Sequence, residues 1–283
     1  MWVLLAVLSA ILLGTYDVAK KQALRKNGTF AVLLVATALS TLFVSPFLRL
    51  GPVGDHLKLA LKAVLVTASW VSGMEGLKRL PLTTVSTIKG SRPVFVVLFS
   101  IILFGERLNW MQWLGVVIVL GALYMLGFSS RSDASAKVRK TGFIWMGISV
   151  LTGVVSALYD KYIMKGMEPM FVQSWTNLFI TVILGLCVLV KCLFTPSRPG
   201  GLQFRWDWTL VLVAVLITGA DALYFFALKQ PDALLSVISV VRRSSVLVTF
   251  VLGAIIFREG NVRVKGLNML IMAAGVVLLL LGS

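Results

Sequence analysis

Long apolar stretches separated by short polar segments cover this chain almost from end to end. A helix of about 20 apolar residues crosses a membrane hydrocarbon core of roughly 30 Å. The pattern therefore predicts an all-α integral membrane protein with ten transmembrane helices. The predicted spans are Trp2–Ala19, Phe30–Leu48, Leu57–Glu75, Leu82–Phe104, Trp110–Gly127, Thr141–Met164, Met170–Phe194, Asp207–Lys229, Asp232–Phe257 and Val262–Leu281.

Similar short sequences recur in the first and last five spans. Tyr16-Asp17 near the end of the first span recurs as Tyr159-Asp160 near the end of the sixth. The fourth span ends in Phe104-Gly105-Glu106, and the ninth ends in Phe257-Arg258-Glu259, 153 positions later. These matches in the same order indicate two copies of one five-helix unit. An odd number of helices in each copy makes the second copy lie upside down relative to the first, as in many transporters.

The boundary between the two copies falls in one of the longest connections between spans. The segment 128–140 is rich in Ser, Lys and Arg and separates the fifth span from the sixth. We therefore predict a first repeat at residues 1–127, a linker at 128–140 and a second repeat at 141–283.

Four basic side chains lie inside the apolar spans. Lys89 and Arg92 belong to the fourth span, and Arg242 and Arg243 lie at the middle of the ninth. Counted back from the glutamate that ends each span, Lys89 and Arg242 occupy the same position. A charge near the bilayer centre costs about 2.5–3.5 kcal/mol on insertion scales, so such residues tend to face a water-filled cavity or a partner.

Composition supports a membrane protein and excludes several other classes. The chain is 58% hydrophobic and 13% charged, which leaves too little polar surface for a soluble protein of 283 residues. The net charge of +16 is spread between apolar stretches without a basic helix face, so we expect contact with anionic lipid headgroups and not with nucleic acid. No metal cluster, phosphate-binding loop or nucleophile triad occurs in the sequence, so we expect neither an enzyme nor a cofactor.

The two charged spans resemble a known family. The segment Pro81–Leu108 contains Ile-Lys-Gly-Ser-Arg-Pro-Val-Phe at 88–95 and Phe-Gly-Glu at 104–106, and it is similar to the EamA-type branch of the drug/metabolite transporter superfamily. The second copy, through Arg242-Arg243 to Phe257-Arg258-Glu259, has the same similarity. The resemblance covers nearly the whole chain and implies a membrane carrier of small metabolites, with a central cavity between two halves and no enzymatic activity.

A second resemblance is to the plastid sugar-phosphate/phosphate translocators. That branch has a Lys in helix four and a Lys-Arg pair in helix nine that hold the substrate phosphate, and Lys89, Arg242 and Arg243 match these positions. Here Arg242 stands where a Lys is usual, and Arg92 stands where many relatives carry Glu. An extra cation in place of an acid makes the expected cavity more positive, so anion binding is still expected but membership of that branch is not.

The candidate site residues form two sets. Lys89 and Arg92 are three residues apart and share a helix face, and guanidinium groups with nearby hydroxyls suit a phosphate or carboxylate. The predicted substrate-binding residues are Lys89, Arg92, Arg242, Arg243, Ser239 and Tyr224, and the predicted gate or coupling residues are Tyr16, Asp17, Lys20, Tyr159, Asp160, Lys161 and Asp221.

These candidates have structural alternatives. The cations can instead neutralise Asp17, Asp160, Asp221 or Glu75 and simply hold helices together. A carboxylate near a helix C-terminus opposes the helix dipole, so Asp17 and Asp160 are either gate or proton-coupling groups or solvated residues at the headgroup level. We expect Asp221 to lie in the cavity as a counter-ion or proton carrier.

The favoured hypothesis is a multi-pass carrier of the cell membrane that moves a small organic anion, phosphorylated or not, by alternating access. Coupling then needs a counter-anion or a proton. A rival hypothesis is a proton-coupled exporter of amino acids or related metabolites, and a third is a non-transporting membrane scaffold. We expect the protein to be a monomer or a homodimer, with a small molecule as substrate.

Overall fold

A computed structural model describes residues 1–77, 79–80, 88–89, 91–128, 136–194, 204–257 and 262–282. These residues form α-helices and one 3-10 turn at Ser45–Phe47, without a β-strand among them. The helices are α1 (Trp2–Ala23), α2 (Thr29–Val44), α3 (Val53–Leu77), α4 (Arg92–Phe104), α5 (Trp110–Phe128), α6 (Ala136–Met164), α7 (Pro169–Phe194), α8 (Trp208–Lys229), α9 (Leu235–Arg243), α10 (Ser245–Phe257) and α11 (Val262–Leu281).

Among the described residues, six helical segments are long and apolar enough to cross a membrane. They are Trp2–Ala23, Thr29–Phe47, Val53–Gly76, Lys140–Met164, Pro169–Val190 and Trp208–Lys229. They coincide with the first three predicted spans and with the sixth, seventh and eighth. Shorter apolar helices occupy parts of the fourth, fifth and tenth predicted spans, at Arg92–Phe104, Trp110–Met125 and Leu270–Leu281. The count of ten spans stays a prediction, and Arg258 and Glu259 lie outside the described residues.

The ninth predicted span is two helices in the structure, so its prediction as one continuous helix was wrong. At Ser244, between α9 and α10, the backbone N–H donates to the Val241 carbonyl at 3.0 Å and the hydroxyl donates to the same oxygen at 2.6 Å. Bonds of this kind tighten and bend a helix. Ser91 makes the same two bonds to the Ile88 carbonyl, at 3.1 and 2.7 Å. The two turns are 153 positions apart, the spacing found between the two glutamates.

The predicted linker between the repeats stays a prediction. Helix α6 begins at Ala136, so the last five residues of the predicted linker 128–140 are helical. Residues 129–135 of that linker lie outside the described residues.

Helices from the two ends of the chain pack mainly against each other. α1 packs on α8, α3 on α6, α2 on α7, α4 on α9 and α5 on α11. Gly115 and Gly275 allow the last of these contacts, because a Cβ at either position would lie 2.8 or 3.1 Å from the carbonyl oxygen of the other. The charged positions of α4 and α9 consequently meet at the interface between the two sets of helices.

The chain after α4 stabilises the start of α9. Gly105, with φ of 63°, ends α4 in the left-handed region that favours glycine. The next carboxylate, Glu106, is buried and accepts the backbone N–H groups of Leu235 and Ser236 at 2.7 and 3.0 Å. It also accepts the Ser236 hydroxyl, and Lys161 lies 3.6 Å away. Glu106 thus binds the N-terminus of α9, where a helix favours negative charge.

Candidate functional site

The two serine turns bring the four central cations together. Lys89 and Arg92 flank the Ser91 turn, and Arg242 and Arg243 form the last turn of α9. A helix C-terminus favours positive charge, which helps to hold the arginine pair there. Arg92 lies within electrostatic range of both α9 arginines, and Lys89 lies within range of Arg92 and Arg243.

Arg242 is held by an acid and by an aromatic ring. Its Nη2 donates to Oδ1 of Asp221 on α8, and its guanidinium carbon lies 4.3 Å from the centre of the Tyr224 ring. This distance is within the range of a cation–π interaction. The side chains of Arg242 and Asp221 remain 19% and 29% exposed. The alternative of internal pairing therefore holds for this arginine in this conformation.

A second ion pair is sealed from solvent. Lys62 of α3 pairs with Oδ1 of Asp160 on α6, and both side chains are 5% exposed. Lys62 also donates to the Ser156 hydroxyl at 2.8 Å, and the Tyr224 hydroxyl donates to Oδ2 of Asp160 at 3.2 Å. Asp160 is therefore not a solvated residue at the headgroup level. Sequence reasoning missed Lys62, although a lysine inside the predicted span Leu57–Glu75 is a signal of the same kind as Lys89.

Arg92 uses a backbone carbonyl as its partner. Its Nη2 donates to the carbonyl oxygen of Gly153 on α6. A Cβ at position 153 would lie 2.7 Å from the guanidinium carbon, so glycine makes room for this contact. Arg92 therefore reaches the cluster without a carboxylate bound directly to it among the described contacts.

A third group surrounds Asp17 of α1. The charges of Lys20, Lys89 and Arg243 all act on this carboxylate. The Lys20 ammonium lies 5.3 Å from the centre of the Tyr16 ring. Lys89 is exposed, and its ammonium faces α3 at Gly73, where a Cβ would lie 3.3 Å away. The first-repeat gate candidates thus meet the cations of the fourth and ninth predicted spans.

Two buried nitrogens of the arginine pair lack an acceptor. Nε of Arg242 and Nε of Arg243 are covered and make no hydrogen bond within the part of the chain that the structure describes. A buried donor without an acceptor costs about 1–3 kcal/mol, so such atoms require an explanation. A bound anion is one.

The remaining candidates lie apart from this cluster. Tyr159 stacks on Tyr162 with ring centres 5.9 Å apart. Lys161 donates to the Ala233 carbonyl beside Glu106, at the start of α9. Ser239 is half-buried on α9, and the described contacts do not join it to the cations. Glu75, an alternative partner for the cations, instead forms an ion pair with Arg79 at 2.6 Å.

The cluster has surplus positive charge. Over the described residues it contains six basic side chains and three carboxylates, brought together by α1, α3, α4, α6, α8 and α9. The basic residues are Lys20, Lys62, Lys89, Arg92, Arg242 and Arg243, and the acids are Asp17, Asp160 and Asp221. Such an arrangement can bind an anion and is poorly suited to a simple cation.

Comparisons with known proteins agree with the fold and the membrane spans. A solved crystal structure matches with a TM-score of 0.81 at 15% identity, covering 99% of this chain and 96% of that one, which shows a shared fold. An uncharacterised transporter of Synechocystis is 25% identical over 179 residues, covering 58% of this chain and 53% of the relative. The chain thus matches only about half the length of that relative.

A further relative has a named substrate. The S-adenosylmethionine uptake transporter of Rickettsia felis is 22% identical over 236 residues, covering 81% of this chain and 73% of the relative. The model of the EamA-like transporter family matches residues 1–128. These matches and the spans confirm the resemblance found in the sequence: residues 1–128 of this multi-pass membrane protein match the EamA-like transporter family, and its relatives are named as transporters.

Proposed function

We propose that this protein is a secondary carrier that moves a small organic anion, with a phosphate or carboxylate group, across the cell membrane by alternating access. The observation that carries the proposal is the pair of buried Nε atoms of Arg242 and Arg243, which lack acceptors within the described residues and lie in a cluster with surplus positive charge. Guanidinium groups bind phosphate and carboxylate through paired N–H donors.

Two observations support a two-repeat architecture for this carrier. The turns at Ser91 and Ser244 have the same hydrogen bonds at equivalent positions. The packing of α1 on α8 is matched by that of α3 on α6, as expected when two five-helix units exchange places. In transporters built from inverted repeats the substrate site lies between the repeats near the membrane midplane, and a cluster between helices from the two ends of the chain agrees with such a site.

The gate and coupling roles are part of the same proposal. Asp160 of α6 forms an ion pair with Lys62 of α3, and Asp17 of α1 lies within electrostatic range of Arg243 on α9 as well as of Lys20 on its own helix. Rocking of one helix set against the other would exchange such contacts. Tyr16, Tyr159, Lys161 and Asp221 remain candidates for this step.

Transport in proteoliposomes tests the anion site. Purified protein is first screened by thermal shift against phosphate esters, carboxylates and amino acids, and the stabilising compounds are then used in counterflow. Lys89→Ala and Arg243→Ala should reduce flux severely while the protein stays in the membrane. Lys58→Ala is the matched control, because Lys58 is an exposed lysine of α3 that pairs with Asp55. Unchanged flux in both cluster variants contradicts the proposal.

A second candidate function is proton-coupled export of amino acids or related metabolites. It is favoured by the pairing of Arg242 with Asp221, which makes that arginine an internal counter-ion. The Rickettsia relative is named for the uptake of S-adenosylmethionine, an amino-acid derivative, which agrees with this substrate class but not with the direction of transport. Under this function zwitterions compete in counterflow and phosphate esters do not.

A further inference from the structure

The two ion pairs of the cluster differ in their access to solvent. Lys62 and Asp160 are both 5% exposed, whereas Arg242 and Asp221 are 19% and 29% exposed. Asp160 has two partners, Lys62 and the Tyr224 hydroxyl. The described contacts of Asp221 consist of one oxygen on one nitrogen of Arg242. The first pair is therefore anchored, and the second is open to exchange.

Arg242 does not depend on Asp221 for its orientation. Its guanidinium lies over the Tyr224 ring, and the hydroxyl of that tyrosine is bonded to Asp160. The ring is thus fixed by the sealed pair and holds the guanidinium in place from one side. Asp221 accepts a hydrogen bond only from Nη2 of Arg242, and Nε of the same guanidinium has no acceptor among the described residues. The two-donor binding of an anion that a guanidinium allows is therefore only half used.

We propose that Asp221 is a tethered substitute for the anionic group of the substrate. In the empty carrier its carboxylate occupies Arg242, and the phosphate or carboxylate of an incoming substrate displaces it. This inference rests on the anion-binding function proposed above. The substrate then competes with Asp221 for the guanidinium of Arg242.

The pairing of Arg242 with Asp221 has a consequence for the carrier when no substrate is bound. An unpaired charge held away from water costs several kcal/mol, which would trap an empty carrier whose arginine lacked a partner. Asp221 compensates the charge of Arg242 and so lowers the cost of reorienting the empty carrier, while the rest of the cluster keeps its surplus of positive charge. Asp221 thereby favours net transport besides exchange.

Asp221→Asn tests the inference, because the amide keeps the shape and removes the charge. Inorganic phosphate and succinate serve as probes, in thermal-shift titrations and in radiolabelled flux. If Asp221 occupies Arg242 for about nine-tenths of the time, its removal lowers the apparent dissociation constant about tenfold. Net uptake into liposomes without internal anion should fall at least several-fold relative to exchange with liposomes that contain it.

Controls separate the outcomes. Asp221→Glu keeps a competing carboxylate and should behave more like the native protein. Asp221→Ser replaces Asp221→Asn if the amide variant does not fold. An unchanged or weaker affinity, or an equal loss of net uptake and exchange, overturns the inference but leaves the anion site intact if the native protein responds to either probe. Failure of the native protein and of the Asp221 variants to respond to both probes overturns the inference and the anion function together.

Discussion

Lys62 and Asp160 form an ion pair that joins α3 to α6 with both side chains almost fully covered. Removing one partner of a buried pair leaves a charge without compensation and typically costs about 3–5 kcal/mol. Lys62→Met and Asp160→Asn should each destabilise the protein strongly, and the double variant should be less destabilised than the sum. Unfolding in detergent, followed by circular dichroism, measures the cycle. Additive effects would show that the two charges do not interact.

Gly153→Ala should displace the guanidinium of Arg92. The new Cβ would lie 2.7 Å from the guanidinium carbon, which is the end of a flexible side chain and can move away. The cost is the hydrogen bond from the charged Arg92 guanidinium to the Gly153 carbonyl, about 1.5–3 kcal/mol, with a loss of anion binding.

Gly147→Ala is the matched control, because it lies on the same helix and no neighbouring atom is within 4 Å of its added Cβ. Thermal unfolding and phosphate titration of the two variants make the comparison. Equal behaviour would mean that Arg92 does not need the space at position 153.

Glu106→Gln should weaken the start of α9. The carboxylate accepts three hydrogen bonds from Leu235 and Ser236, and an amide nitrogen in place of one oxygen would face a donor. Loss of a helix cap costs about 0.5–2 kcal/mol. Hydrogen exchange of the α9 amides should accelerate in Glu106→Gln. Glu168→Gln, at an exposed residue before α7, is the control. Equal exchange of the α9 amides in both variants would contradict the capping role of Glu106.

The loop before α8 should respond to acid. The hydrogen bond from Lys26, followed by that from the Thr209 N–H, lowers the pKa of Asp207 from 3.8. A lowered pKa means that the stabilisation is present above pH 3.8 and is lost as the pH falls through the pKa of the folded state. Protection of the first α8 amides, relative to their intrinsic exchange rates, should therefore fall in the native protein as the pH drops below 3.8. Asp207→Asn should remove this pH dependence, and its persistence would assign it to another group.

The spacing of residues predicted which central cations lie near one another in the structure. The register counted from Glu106 and Glu259 paired Lys89 with Arg242, and the structure places matching turns beside these two residues. Charge inside apolar spans was sufficient to select the four cations. It does not tell which of them meets an acid, since the partners come from helices distant in sequence.

Other features of the structure have no clear signal in the amino-acid sequence. The helix break at Ser244 follows a run without proline or glycine, and only the serine hydrogen bonds explain it. Lys62 lies five residues into its predicted span, where a long side chain is normally able to reach the headgroups. The approach of α6 to α3 turns it inward to Asp160 instead.

The break at Ser244 makes chain length as important as residue type. Each residue of an α-helix turns the chain by about 100°, so one inserted or deleted residue between Leu235 and Arg243 would swing the arginines away from Tyr224. The Glu106 cap fixes the other end of that short segment and prevents it from sliding to compensate. Among related chains, a gap or insertion within these nine residues would accordingly signal altered selectivity even where both arginines are retained.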